Sequence, residues 1–156
     1  MLRLRLILVL FALVLAGLGA TTTHAASKRH RHHHRHHHRH HRPAGKQVVR
    51  YARRFLGIRY SWGGISPRTG FDCSGLVSFV YRHFGVSLPH YTGGQLYTGR
   101  HVSRRRLRPG DLLFFGLGHV GLYVGHGRFI HAPHTGARVR IERLYRWHVT
   151  DARRVV

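Results

Sequence analysis

Apolar side chains recur at helical spacing in two segments of the chain, and a glycine follows each segment. In residues 46–56 the apolar positions are Val48, Val49, Ala52, Phe55 and Leu56. In residues 73–84 they are Leu76, Val77, Val80, Tyr81 and Phe84. Positions three and four apart share one face of a helix, and glycine readily adopts the left-handed conformation that ends one. We predict two short amphipathic helices, the second with Cys73 in its first turn.

Four shorter apolar segments in the C-terminal half are typical of β-strands. They cover residues 112–115, 119–124, 128–131 and 138–141, with turn residues such as Pro109, Pro133 and Gly136 between them. Residues 58–70 and 88–100 lack such a pattern and are predicted as loops. Helices that precede a set of antiparallel strands indicate an α+β domain, with the N-terminal helices packed on a small antiparallel sheet.

The N-terminal 25 residues have the pattern of a secretory signal peptide. Arg3 and Arg5 precede an uncharged apolar run of about 13 residues, and Thr23-His24-Ala25 is a small-x-small cleavage pattern. A transmembrane anchor is the alternative, but a span needs roughly 20 apolar residues. We therefore predict an exported protein, in the periplasm or the cell wall and extracellular space, without stable membrane insertion after cleavage.

Residues 26–45 are predicted to form a His/Arg-rich disordered tail and linker. Residues 28–42 contain nine histidines among basic residues and have no apolar side chain to bury. Three interpretations stay open for this tail. It is an electrostatic tether that grows more cationic in acid, a binding segment for Zn²⁺, Cu²⁺ or Ni²⁺, or a segment with no specific role.

The net charge of the chain indicates which class of partner it binds. The formal net charge is +23, with 27 lysines and arginines against four acidic residues, which favours a polyanion as partner. In an exported protein that partner is an anionic envelope polymer and not nucleic acid. Residues 46–156 have the length of one small domain, which we predict to be catalytic and monomeric.

Cys73 is the only cysteine, so the chain has no intramolecular disulfide. The positive end of the helix that Cys73 begins favours its thiolate, and the backbone N–H groups there can donate to an oxyanion. His119 follows Gly118 at the start of a predicted strand, and His131 ends the next one. Adjacent antiparallel strands would place these imidazoles together, as a base and the group that orients it. A buried, inert thiol is the alternative.

Five motifs resemble, in order, those of the NlpC/P60 family of papain-like endopeptidases. They are YSWGG at 60–64, FDCSGLVSFVYRHFGVSLPHYTGGQ at 71–95, RPGDLLFF at 108–115, GHVGLYVG at 118–125 and FIHAP at 129–133. The resemblance covers residues 46–145. It implies a minimal papain-like α+β fold, in which a helix that carries the cysteine packs on a short antiparallel sheet.

The resemblance also implies a role for individual residues. Cys73 would be the nucleophile, His119 the general base and acid, and His131 the polar group that orients His119. Tyr60, Asp72, Ser74 and Thr92 would bind substrate, Thr92 at a position where relatives often carry serine.

Simpler roles stay open for several of these residues. Asp72 is suited to cap the helix, Tyr60 to pack in the core, and Trp62 is expected in the core. The other histidines of the domain are expected at the surface or in loops, and residues 104–108 as a solvated basic loop. One cysteine without a carboxylate cluster indicates neither a metal site nor a cofactor.

The implied activity is hydrolysis of a peptidoglycan amide through a thioester on Cys73. Relatives cut between D-Glu and diaminopimelate or between D-Ala and diaminopimelate, and the sequence does not choose. No accessory domain that would close one end of the groove is evident, which favours cross-linked wall. Two alternatives stay open, namely a Cys/His amidase or acyltransferase of related fold, and a non-enzymatic protein that binds wall or metal through its tail.

Overall fold

The two predicted helices are present in the structure, a computed structural model that describes residues 44–156. Helix α1 is Gly45–Ala52 and continues as a 3₁₀ turn at Arg53–Phe55, and helix α2 is Cys73–Arg82. Gly57 and Gly85 follow them with φ of 84° and 75°, the left-handed conformation expected of glycines after a helix. The predicted signal peptide and almost all of the predicted tail lie outside the described residues.

A two-stranded hairpin connects the helices, where the sequence predicted only a loop. It consists of β1 (Ile65–Ser66) and β2 (Gly70–Phe71). A third helix, α3 (Thr92–Leu96), lies within the other predicted loop. Two consecutive glycines in α3 hide its helical pattern, because glycine is a poor helix former.

The main sheet contains six antiparallel strands in the order β3-β8-β4-β5-β6-β7. The strands are β3 (Arg100–His101), β4 (Leu112–Phe114), β5 (Val120–Gly125), β6 (Arg128–His131), β7 (Arg140–Arg143) and β8 (Asp151–Arg154). The predicted α+β architecture of helices on a small antiparallel sheet is therefore confirmed. His119 precedes β5 by one residue, and β7 begins two residues later than predicted.

Strand β8 was not predicted, although it is an inner strand of the sheet, between β3 at the edge and β4. Its residues lack apolar alternation, since Ala152 is its one apolar side chain. An ion pair secures it instead. The Arg154 guanidinium donates to both oxygens of buried Asp111, at 2.6 and 2.7 Å.

The sheet separates two apolar clusters. On one side α1 and α2 bury Val48, Ala52, Leu76 and Val80 together with apolar residues of β4 and β5. On the other side the cluster consists of Val102, Leu113, Phe129, Leu144 and Ala152. Since alternate residues of a strand share a face, His131 lies on the same face as Phe129, away from the helices. None of the helices within residues 44–156 is long and apolar enough to cross a membrane.

Candidate active site

A groove of about 510 Å³ lies between the first turn of α2 and the start of β5. Most residues singled out from the sequence line it, namely Tyr60, Asp72, Cys73, Ser74, Thr92 and His119. Two other concavities of the domain, of about 600 and 690 Å³, are lined by residues of strands and loops, with three arginines in the first and five in the second. Neither contains a thiol, because Cys73 is the only cysteine. The groove at Cys73 is therefore the candidate site.

Cys73 begins α2, and its side chain is 9% exposed. Its sulfur lies 3.7 Å from Thr92 Oγ1 and 3.9 Å from the carbonyl oxygen of Gly118. In the first turn of α2 the Gly75 amide donates to Asp72, whereas the amides of Cys73 and Ser74 have no intrahelical acceptor and favour negative charge on the sulfur. The thiol is buried on its flanks but open to a ligand.

The loop at 60–64 packs directly on the first turn of α2. The closest approach is at Gly75, where an added Cβ would lie 2.0 Å from the carbonyl oxygen of Gly64. Only glycine permits this approach, which brings Tyr60 beside the sulfur. Burial, followed by the charges of Cys73 and Asp72, raises the pKa of Tyr60, so its hydroxyl stays protonated as a donor.

Asp72 caps α2, the simpler of the two roles considered for it. Its carboxylate accepts from the Gly75 amide at 2.6 Å, the Gly63 amide at 3.0 Å and the Ser74 hydroxyl at 3.0 Å. His90 Nε2 also lies 3.1 Å from it. The contact of His90 with Asp72 places that imidazole in the groove, which the sequence did not indicate. The sequence feature that could have indicated His90 is the motif SLPHYTGGQ, which contains both His90 and Thr92.

His119 and His131 meet as predicted. His119 Nε2 lies 2.8 Å from His131 Nδ1, which leaves Nδ1 of His119 as the ring nitrogen available to the groove. Burial lowers the pKa of His119 to about 4 and that of His131 to about 4, so both rings are neutral at neutral pH. The sulfur of Cys73 contacts the carbonyl of Gly118, the residue before His119, and has no direct hydrogen bond to the His119 ring in the described part of the chain.

Two residues beside the imidazoles were missed from the sequence. Trp147 stacks on His119, with ring centroids 5.6 Å apart and planes at 24°. Glu142 accepts from Trp147 Nε1 at 2.7 Å and lies 3.5 Å from His131 Nε2. Neither residue falls in a quoted motif. The pairing of β6 with β7 places Glu142, and the 3₁₀ turn Leu144–Arg146 that follows β7 leads to Trp147.

Gln95 is a further residue that the sequence analysis left unassigned. It is fully buried, and its Nε2 donates to the carbonyl of Ser74 at 2.9 Å and of Pro89 at 2.8 Å. These bonds hold α3, and with it Thr92, against α2. Gln95 is the last residue of the motif at 71–95, and its place in that motif could have indicated a role at the site.

The expectation that Trp62 lies in the core is wrong. Its side chain is 88% exposed and lines the groove. The two glycines that follow turn the chain here, so the indole lies over the opening and not beneath it. Residues 104–108 include one 3₁₀ turn, Arg104–Arg106, whose side chains are exposed as expected. Within residues 44–156, no cluster of three or more His, Cys, Asp or Glu side chains has the arrangement of a metal site.

Comparison with known proteins identifies the class of domain that this fold and site define. The family model described as "NlpC/P60 family" matches residues 57–155, so the chain belongs to the NlpC/P60 family. The sequence resemblance is thereby confirmed.

Individual relatives support the same assignment. The chain is 41% identical over 127 residues to a protein named murein DD-endopeptidase MepH of Escherichia coli, covering 72% of this chain and 46% of that protein. It is 38% identical over 120 residues to a γ-D-glutamyl-L-lysine dipeptidyl-peptidase of Bacillus subtilis, covering 70% and 40%. The chain spans less than half the length of these curated relatives.

A solved structure agrees with the fold. The NlpC/p60 domain of the peptidoglycan hydrolase SagA superposes with a TM-score of 0.68 at 33% identity, covering 72% of this chain and 99% of that domain.

Proposed function

We propose that this chain is an exported cell-wall hydrolase, a cysteine endopeptidase that cuts amide bonds in peptidoglycan stem peptides or cross-links. The observation that carries the proposal is that Cys73 and His119 line one groove of an NlpC/P60 domain and that the buried His131 contacts His119. The names of two relatives, a murein DD-endopeptidase and a γ-D-glutamyl-L-lysine dipeptidyl-peptidase, support this proposal.

In the proposed reaction, the Cys73 sulfur attacks the peptide carbonyl carbon while Nδ1 of His119 accepts the thiol proton. The oxyanion receives hydrogen bonds from the N–H groups that begin α2 and from the Tyr60 hydroxyl. His119 then donates its proton to the leaving amine, which departs and leaves a thioester on Cys73. A water molecule deprotonated by His119 hydrolyses the thioester and regenerates the thiol.

Substrate recognition falls to the rim of the groove. Tyr60, Asp72, Ser74 and Thr92 line the groove together with Cys73, and in our proposal the Asp72 carboxylate attracts a free amino end. Because Asp72 already accepts several hydrogen bonds, we propose that it acts as a fixed charge and does not rearrange. The exposed indole of Trp62 adds an apolar wall, against which a stem-peptide side chain can pack.

Two bonds are compatible with this site. The E. coli relative is named a DD-endopeptidase and the B. subtilis relative a γ-D-glutamyl-L-lysine peptidase, at 41% and 38% identity to this chain. The experiment must therefore detect cleavage of either bond, that between D-Ala and diaminopimelate or that between D-Glu and diaminopimelate.

The experiment is digestion of purified wall by the wild-type protein and by Cys73→Ala in parallel, with mass spectrometry of the new ends. New amino ends on diaminopimelate are expected from the wild type and none from Cys73→Ala, which should still bind wall. Free lactyl-muramic ends would identify an amidase instead. If Cys73→Ala were as active as the wild type, the endopeptidase proposal would be wrong.

We also propose that the basic segment at 28–42 tethers the exported protein to anionic envelope polymers. The support is its sequence, with nine histidines among arginines and a lysine, and this segment lies outside the described residues. Its deletion should weaken wall binding more at low salt than at high salt, because salt screens such contacts. Equal weakening at both salt concentrations, measured by co-sedimentation with wall, would contradict the tether.

A further inference from the structure

His131 is fully buried, and only one of its ring nitrogens has a close partner. Nδ1 lies 2.8 Å from His119, whereas Nε2 makes no hydrogen bond within residues 44–156 that meets strict geometry. The one acidic group of residues 44–156 within 4.0 Å of Nε2 is the Glu142 carboxylate, with Oε1 at 3.5 Å. Buried polar atoms nearly always have a partner, so this separation needs an explanation.

Glu142 is placed to provide that partner. On β7 it pairs with Phe129, two residues from His131 on β6, so the two side chains are diagonal neighbours on one sheet face. The carboxylate is 22% exposed and has two anchors, the guanidinium of Arg140 and the indole N–H of Trp147. The ring of Trp147 also meets that of His131 edge-on, with centroids 5.3 Å apart. Carboxylate and imidazoles are thus held in one cluster.

An ionised carboxylate only accepts hydrogen bonds, so Glu142 favours a proton on Nε2 of His131. Nδ1 of His131 is then bare and accepts from Nε2–H of His119. Nδ1 of His119 is bare in turn, with its lone pair available to the thiol. The opposite arrangement, with the proton on Nδ1 of His131, would place the His119 proton on Nδ1 and leave the enzyme without a base.

We propose that Glu142 is a positioning residue of this active site, which acts through His131 to set the tautomer of His119. The inference rests on the proposed cysteine mechanism and extends it by one residue that belongs to no motif of the family resemblance. The 3.5 Å separation fits a resting enzyme, since catalytic hydrogen bonds are often long before substrate binds. It should shorten when His119 carries the thiol proton.

The charges around the two imidazoles agree with this role. Cys73 of α2 and His134 beyond β6 face His119, while Arg140 and Glu142 of β7 face His131. His134 and Arg140 lower the pKa of the ring that each faces, and Glu142 raises the pKa of both rings. Glu142 is therefore the group that stabilises positive charge on His119 after proton transfer.

The first test uses Glu142→Gln, which keeps the shape and whose amide can donate to Nε2 of His131, favouring the wrong tautomer. We expect kcat to fall about 10- to 100-fold with KM within about twofold, by analogy with other groups that orient a catalytic histidine. The matched control is Asp151→Asn, the same change in the His101–Asp151 pair, whose atoms lie 2.8 Å apart outside the groove. A purely structural role would lower the thermal midpoint in both variants and leave the kinetics of both alike.

A second measurement needs no wall substrate. The rate of Cys73 alkylation by iodoacetamide is followed against pH, together with the ¹⁵N shifts of the imidazoles. Without the Glu142 charge the imidazolium is less stable, so half-maximal alkylation should move to higher pH, and the ¹⁵N shifts should report a proton on Nδ1 of His119. An unchanged alkylation profile with unchanged ¹⁵N shifts would overturn the proposal, even if Glu142→Gln were less active.

Trp147→Phe provides a second variant in case Glu142→Gln does not fold. It keeps the aromatic ring and removes the indole donor to Glu142, so we expect a smaller change in the same direction. An alkylation profile identical to wild type in Trp147→Phe would count against the role of Glu142. Alkylation does not depend on wall cleavage, so the two proposals fail separately. A wild type that does not cut wall would contradict the proposed function, whereas the alkylation profiles would still test the role of Glu142.

Discussion

The two halves of the groove are built in different ways. The cysteine half comes from residues 60–75, a continuous stretch in which a loop, a cap and one helical turn pack by backbone contact at Gly75. The imidazole half collects His119, His131, Glu142 and Trp147 from three chain segments that meet only in the sheet. Sterics fix the first half, whereas protonation and hydrogen bonding fix the second. Each half should therefore fail under a different perturbation.

The largest difference is expected between the two histidines that line the groove. His119→Ala removes the base and should lower kcat/KM at least about 1,000-fold. His90→Ala removes a ring whose hydrogen-bond partner is the cap at Asp72, and the loss in kcat/KM should be below about tenfold and mainly in KM. Steady-state kinetics on purified wall fragments measure kcat/KM for both variants. A loss below about tenfold in His119→Ala would show that His119 is not the catalytic base.

Gly75→Ala should break the cysteine half. The added methyl would overlap the Gly64 carbonyl, so we expect a loss of about 3 kcal/mol in the free energy of unfolding. The matched control is Gly93→Ala in α3, where a Cβ would lie at an ordinary 3.5 Å from the Tyr91 ring. That change should be neutral or stabilising, because alanine is the better helix former. Urea unfolding of both variants measures the difference, and equal stabilities would refute close packing at Gly75.

Acid should destabilise the imidazole half. The pKa of His119 and of His131 is lowered from 6.5 to about 4, so the unfolded chain binds more protons between these values. Stability is therefore full above pH 6.5 and falls as the pH decreases towards 4. At pH 5 the two rings together should lower the free energy of unfolding by about 2 to 4 kcal/mol relative to neutral pH.

Urea unfolding at pH 7, 6 and 5 tests this expectation. The range is chosen above the ordinary pKa values of Glu142 and Asp151, which are themselves lowered in the fold, so carboxylate protonation contributes little. His131→Asn should flatten the dependence, because one of the titrating rings is removed. A wild type equally stable at pH 7 and pH 5 would contradict the burial of neutral imidazoles.

The same contrast explains what the sequence could predict. In the cysteine half, helix periodicity, a capping aspartate and glycines lie within one short segment, so α2 and the position of Cys73 were predicted correctly. Trp62 was misplaced, since an aromatic residue between turn glycines has no periodicity to show which side of the chain it faces. Local pattern is informative where local contacts build the structure.

In the imidazole half, the His119–His131 contact followed from two adjacent strands, but Glu142 and Trp147 did not. Glu142 lies on β7, whose start was predicted two residues too early, and Trp147 follows the 3₁₀ turn Leu144–Arg146 that comes after β7 and was not predicted. Strand β8 was missed for a related reason, because Asp111 and a ladder of backbone bonds hold it and not an apolar face. Long-range pairing of polar strands leaves little trace in a single sequence.

The smallest effect is expected at Thr92, where the two halves meet across the sulfur. Its hydroxyl lies 3.7 Å from Cys73 Sγ, a weak contact, and its methyl is buried beside it. Thr92→Ser keeps the hydroxyl, so kcat/KM should stay within about twofold of the wild-type value. Thr92→Val removes the hydroxyl and should lower kcat/KM about fivefold, which corresponds to about 1 kcal/mol of activation free energy. The comparison of these two variants by alkylation rate and by wall cleavage separates hydroxyl from methyl. If Thr92→Ser were the slower one, the methyl that shapes the subsite would matter more than the contact with sulfur, and Thr92 would belong to substrate fit and not to the nucleophile.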